Sequence, residues 1–179
     1  MTRLLSHYSS LARAFDHPSD WLLPTLARIV FAAVLLGYFW ASALTKFAGP
    51  FTPSTGAYGQ IFPRAFDAVG FDETQLGLWH WAVALAGGYA EFILPALILL
   101  GLFTRLAALG MAGFVVVQSL TDIYGHGVAA GAWFDRASDA VILDQRALWM
   151  LLLAVLISKG AGPFSADRLL GVEPTRLAA

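Results

Sequence analysis

The stretch from residue 78 to residue 120, LWHWAVALAGGYAEFILPALILLGLFTRLAALGMAGFVVVQSL, decides the fold. It holds one apolar run from about Leu78 to Phe103 and the start of a second, from Leu106 to Tyr124, with a tight turn at Arg105 between them. At 1.5 Å per residue, both are long enough to cross a hydrocarbon core of about 30 Å. Working outward, an earlier run extends from Leu22 to Phe47. A later one extends from Ala147 to Ser158, with Val141 to Leu143 leading in. The last is short and requires Asp144, Gln145 and Arg146 to be helical too.

Composition agrees. Of the 179 residues, 58% are hydrophobic and 13% charged, against about 25% charged in soluble domains; mean hydropathy is +0.68. The expected fold is an all-α membrane protein, a four-transmembrane-helix bundle with spans at about 22-47, 78-103, 106-124 and 141-158. Residues 1-21 form an interfacial N-terminal segment, 22-159 the transmembrane domain, and 160-179 a cytoplasmic C-terminal segment. Ala41-Ser42-Ala43 has the small side chains of a signal cleavage site, but the run before it is too long and carries Arg28, so the first span is expected to be retained.

A net charge of -1 and a pI near 6.4 leave no basic surface for nucleic acid. The expected partners are the lipid bilayer and a protein subunit or a second copy of the chain. With no cysteine there is no disulfide, thiolate zinc site, c-type haem attachment or cysteine-bound iron-sulfur cluster. No covalently bound cofactor is expected.

Orientation follows the basic residues. Arg3 and Arg13, Arg105, and Lys159, Arg168 and Arg176 fall on one side, which the positive-inside rule makes cytoplasmic. Both termini are therefore expected in the cytoplasm, with the protein multi-pass in a bacterial-type inner membrane. Trp40, Trp79, Trp81, Trp133 and Trp149 then gather at the outer interface, and Trp21 at the inner one. In the first outer loop, Ala48 to Gly77, turn residues precede Ile61, Phe62, Phe66, Val69 and Phe71 around Arg64 and Asp67. This pattern predicts a short amphipathic helix on the membrane or capping the bundle. The second outer loop, Gly125 to Asp139, can fold over the same mouth. Leu4, Leu5, Tyr8, Leu11 and Phe15 predict an interfacial helix ending at Pro18.

Polar residues inside spans need a partner or a task. Glu91 lies within the second span, one and two turns beyond Gly88, Gly87 and Ala84, and Pro95 frees its carbonyl. Its expected partner is Arg28, in a buried ion pair, with proton relay or ion binding as the alternative. Towards the outer end, Lys46, Asp122, His126, Asp144, Arg146 and His80 fall at similar depth. Gln118, Asp122 and His126 recur at i, i+4 and share a face directed into the bundle or its mouth. A network of Lys46, Asp122, Asp144 and Arg146 holding helix ends together is the favoured reading. His80, Asp122 and His126 as ligands of a divalent metal form a weaker alternative, and Lys46 alone reads as a snorkelling lysine.

These residues carry a family resemblance. Glu91 followed by Gly101-Leu102-Phe103-Thr104-Arg105-Leu106-Ala107-Ala108 resembles the central signature of the DoxX family, an acidic residue ahead of a Gly-Leu-x-Thr-Arg-x-Ala-Ala turn. Arg28, Gly37 and Lys46 are similar to its first helix, and Gly160-Ala161-Gly162-Pro163-Phe164-Ser165-Ala166-Asp167 to its closing Gly-Pro-Gly-x-x-Ser-x-Asp, with Ala161 in place of proline. The resemblance covers roughly residues 22 to 169, and the long outer loop and TDIYGHG (residues 121-127) lie outside the pattern.

It implies a small four-helix membrane protein, named for a subunit associated with a terminal quinol oxidase and thiosulfate:quinone oxidoreductase, with other members linked to oxidative-stress or metal-handling assemblies. Family signature residues Gly101, Thr104, Arg105, Gly160, Gly162, Ser165 and Asp167 would form a packed inner face. Asp167 is expected to meet Arg105, by capping or ion pairing, or else, with Ser165, to cap a helix starting near Arg168. The implied function is an accessory or scaffold subunit of a membrane redox or stress-response assembly, without catalytic activity of its own. The alternatives are a proton- or ion-coupled transporter using Glu91 and Asp122, and a redox subunit in which Asp122, Tyr124 and His126 contact a quinone.

Overall fold

The structure, a computed structural model, describes residues 20–172. The expected N-terminal interfacial helix, and Arg3, Arg13 and Arg176, lie outside the described residues. In chain order come α1 (Asp20–Leu44), a hairpin of β1 (Phe47–Gly49) and β2 (Thr52–Pro53), α2 (Thr55–Ile61), α3 (Pro63–Ala68), α4 (Leu78–Leu100), α5 (Thr104–Gly125), α6 (Val141–Lys159) and α7 (Ala166–Leu169). Helices α1, α4, α5 and α6 are long and apolar enough to cross a membrane. The all-α four-span architecture is therefore present. Asp144, Gln145 and Arg146 are helical, in a wide π turn that opens α6, and Thr121–Gly125 forms a similar turn at the end of α5.

Lipid tails are as apolar as leucine, so helices here associate through close packing and polar ties. Phe31, Leu35 and Phe39 of α1 are fully buried or nearly so against Ile98 of α4, Ala107, Ala108, Met111 and Val115 of α5, and Leu153 and Leu156 of α6. Trp149 was placed at the outer interface by its residue type. It packs against Tyr38 and Phe39, with the Arg146 guanidinium over its ring.

At one end of the bundle the signature residues form a latch. Gly101 ends α4 in the left-handed region at φ 67. A Cβ there would lie 2.6 Å from Ser165 Cβ and 2.8 Å from Arg28 Cζ, so no side chain fits. The Asp167 carboxylate accepts from the Phe103 N–H at 2.6 Å and the Thr104 N–H at 2.9 Å, and its own N–H donates to the Gly101 carbonyl at 2.8 Å. A residue more than sixty positions away thus caps the first turn of α5. Ser165 caps α7 through the Arg168 N–H, as its alternative reading predicts. Arg105 bridges elsewhere, donating to the Ile157 and Ser158 carbonyls near the end of α6.

Arg28 belongs to this latch, which corrects the expected Arg28–Glu91 pair. Its guanidinium donates to the carbonyls of Ile98, Leu99, Ala161 and Phe164 at 2.6 to 3.1 Å. The last carbonyls of α4 lack helical donors and carry the negative end of its dipole, so they suit a forked cation. Glu91 stands seven residues earlier on α4, about 10 Å away along the axis.

The opposite end is staggered. Phe47 sits against Gly88, where a Cβ would come within 2.7 Å of the phenylalanine ring. The Tyr89 hydroxyl donates to the Pro50 carbonyl at 2.6 Å, and the Trp81 indole to the Phe51 carbonyl at 3.2 Å. Trp81 and Tyr89 stand three and eleven residues from the start of α4, so the β1–β2 turn lies beside the first three turns of that helix, between about 5 and about 16 Å from its start. The expected amphipathic helix is therefore two short helices, α2 and α3, following an unexpected hairpin that dips beside α4. Irregular backbone at such depth is tolerated only where its polar groups are met by protein. Here two aromatic donors cap the turn carbonyls. Nearer the surface, Asp72 accepts from the Thr74 and Gln75 side chains and the Thr74 N–H, which holds its carboxyl below the usual range. Burial, and then the nearby Glu73 carboxylate, pushes the Tyr58 phenol up.

Two outcomes follow. Asp167→Ala strands two N–H groups and should lower stability by about 1–3 kcal/mol, seen as an earlier thermal midpoint in detergent, with Asp167→Asn losing less. In membrane vesicles an impermeant maleimide should label Phe51→Cys about tenfold more slowly than Phe134→Cys, because the Phe51 turn is held beside α4 by Trp81 and Tyr89 whereas Phe134 lies in the loop between α5 and α6.

Candidate functional site

A cavity of about 540 Å³ lies between α4 and α5 in the half of the bundle that carries the long loops. Its floor is the contact of Leu94 with Gly110, where a Cβ would meet the leucine at 3.2 Å. Its roof is the end of α2, Gln60 and Ile61, and the side towards α1 is formed by Tyr38, Ser42 and Lys46. The walls are mostly apolar or small, with Val83, Ala86, Gly87 and Ala90 facing Gly113, Phe114 and Val117.

The main polar group is the ion pair of Lys46 and Glu91. Lys46 Nζ lies 2.8 Å from Glu91 Oε2, and the two residues are 5% and 2% exposed. Lys46 also donates to Ser42 Oγ at 2.7 Å, and that hydroxyl donates to Glu91 Oε1 at 3.3 Å. Three polar side chains thus close a triangle with little hydrogen-bonding capacity left over. Lys46 is not a snorkelling lysine. Because α1 stops at Leu44, the following chain turns down beside Gly88 and carries the ammonium inward to the carboxylate.

The expected four-residue network resolves into separate contacts. Arg146 pairs with Asp122 and donates to Ser119 Oγ at 3.1 Å, tying α6 to α5. Asp144 accepts from the Ala140 N–H at 3.0 Å, within the entry to its own helix. Lys46 takes Glu91 instead. The cause is the stagger, which separates residues that sequence counting places at one depth.

Gln118, Asp122 and His126 all line the cavity, as their shared face predicts. Gln118 Nε2 donates to the Tyr38 hydroxyl at 3.0 Å. His126 Nε2 lies 3.0 Å from the Gln60 carbonyl and so holds α2 over the end of α5. The metal alternative is corrected. Among the described residues no three histidine, aspartate or glutamate side chains come together to hold an ion. Asp122 is taken by Arg146, His126 by Gln60, and His80 packs edge-on against Phe62 at 4.8 Å.

Sequence reasoning missed Tyr38, Ser42 and Gln60. Ser42 was findable, as a hydroxyl one turn before Lys46 in an apolar span. Gln60 carried no signal, because only the return of the loop onto the bundle brings it to the cavity.

The family model for DoxX matches residues 23–121, more than half of the chain. The chain belongs to the DoxX family. No curated protein and no solved structure matches it.

Removing either partner of the Lys46–Glu91 pair leaves a buried charge unmatched, a loss of about 3–5 kcal/mol. Lys46→Met and Glu91→Leu are each expected to lower the thermal midpoint sharply, and the double variant to recover much of the loss. Additive losses in the double variant would show that the pair is not coupled.

Proposed function

We propose that this protein holds a lipophilic small molecule of the quinone class in the α4–α5 cavity, as an accessory subunit of a redox or stress-response assembly. The observation that carries the reading is the composition of that cavity. Its size falls in the range of about 300–1,000 Å³ common to small-molecule sites, and apolar walls converge on a few polar groups at Ser42, Lys46, Glu91, Tyr38 and Gln118. A flat ring with two acceptor oxygens suits such an environment, with a dry slot for the ring and, for the oxygens, the donors that the ion-pair triangle does not use, the Tyr38 hydroxyl and the second amide hydrogen of Gln118. Of the quinone contacts expected from sequence, Asp122 and His126 line this cavity and Tyr124 lines a neighbouring groove.

The transporter reading is less well supported. Glu91 and Asp122 each already hold a cation, Lys46 and Arg146, so neither carboxylate is free to exchange an ion without breaking a helix tie. Electron transfer to or from the bound molecule is assigned to a partner subunit. The basic residues around Arg105, Lys159 and Arg168 favour a cytoplasmic location for the latch end in an inner membrane.

Native mass spectrometry of protein extracted from its own membrane in mild detergent tests this. A bound quinone is expected on the wild type. It should be lost from Gly113→Leu, because a Cβ at Gly113 meets nothing within 4 Å and the side chain has open space to fill. The helix itself should be no less stable, leucine being the better helix former by somewhat under about 1 kcal/mol. Absence of any quinone, both as extracted and after quinone is added, would refute the reading.

A further inference from the structure

The cavity reaches the outer surface of the bundle in the middle of a span. Leu106, Leu109, Val116, Val117 and Leu120 are exposed along one stripe of α5, at the three- and four-residue spacing of a single helix face. Gly113 falls on that same stripe and is exposed, yet it lines the cavity. On α4, Ala86 likewise is exposed and lines it. Bulky side chains thus cover the face above and below, and small ones leave a gap between α4 and α5.

The height of the gap decides what it opens to. Gly113 is nine residues from the start of α5 and twelve from its end, or about 14 Å and about 18 Å. A window so far from both ends of a membrane-spanning helix faces acyl chains. Above it, Val117 also borders a second cavity, of about 450 Å³, which shares Ile61 and Thr121 with the first. The exposed apolar surface therefore continues along α5 under the loop helices.

We infer that the ligand enters sideways from the bilayer through the gap between Ala86 and Gly113, and that it is a single-tailed amphiphile. Its head lies towards Tyr38 and Gln118, next to the Lys46–Glu91 pair, and its tail leaves through the gap into lipid. Tyr38 and Ser42 form the α1 side of the cavity and Ala86 and Gly113 its α4 and α5 walls, so head and tail take different sides of it. This rests on the ligand reading above and adds the route and the tail.

The chain has no cysteine, so Gly113→Cys accepts one bimane label in lipid nanodiscs. Phosphatidylcholine brominated on its acyl chains should quench that label strongly, and aqueous iodide weakly. Iodide quenching equal to that of a labelled Phe134→Cys control, with no response to brominated chains, would overturn lateral entry. A benzoquinone with a decyl tail should also bind the unlabelled wild type more than about tenfold more tightly than its tail-less parent, since each buried methylene favours binding. Equal binding of the two would overturn the tail while leaving the ligand reading standing. Failure of both to bind would defeat the ligand reading and the tail with it, while the quenching result would still report separately where the gap opens.

Discussion

Hydrocarbon offers no hydrogen bonds, so a charge that this chain carries below the surface needs its partner within the protein. The rest of the structure depends on how the Lys46 and Glu91 charges meet that demand. Glu91 is fixed in the body of α4, and its cation comes from a residue just past the end of α1. Meeting it pulls the chain after α1 inward and places Phe47 against Gly88. The hairpin must then run beside α4 before the chain can return outward. That detour supplies α2 as a roof and leaves a cavity beneath it. The ion pair contributes at least as much to where the chain goes as to how stable it is.

The same demand explains the far end of the bundle, where the family signature is concentrated. Gly101, Thr104, Ser165 and Asp167 meet there with Arg28, and the contacts satisfy backbone groups that helix ends and the segment after α6 leave open. Arg28 takes four carbonyls, and Asp167 takes two N–H groups. Together these residues form a structural lock.

Much of this was legible in the sequence, for a physical reason. Four apolar runs of membrane length have few other solutions, and the helical face shared by Gln118, Asp122 and His126 follows from periodicity alone. Pairing was harder to read. Arg28 and Glu91 were natural partners by charge and span, but a guanidinium beside a helix end can be satisfied by carbonyls, and no charge count shows that. Lys46 lies deeper than its place after a span suggests, because the chain turns inward past Leu44 to meet Glu91. The role of Asp167 was nearly found, since capping was anticipated, but the helix it caps is α5.

The central claim is that the cavity between α4 and α5 holds a tailed molecule from the membrane. The most direct measurement is photo-crosslinking in native membranes with a benzoquinone that carries a photoreactive tail, followed by mapping of the modified peptides. The account predicts labels on α4 between Val83 and Leu94 and on α5 between Gly110 and Gln118, suppressed by excess unlabelled quinone. Labels confined to other faces of the bundle, or unaffected by competition, would contradict it.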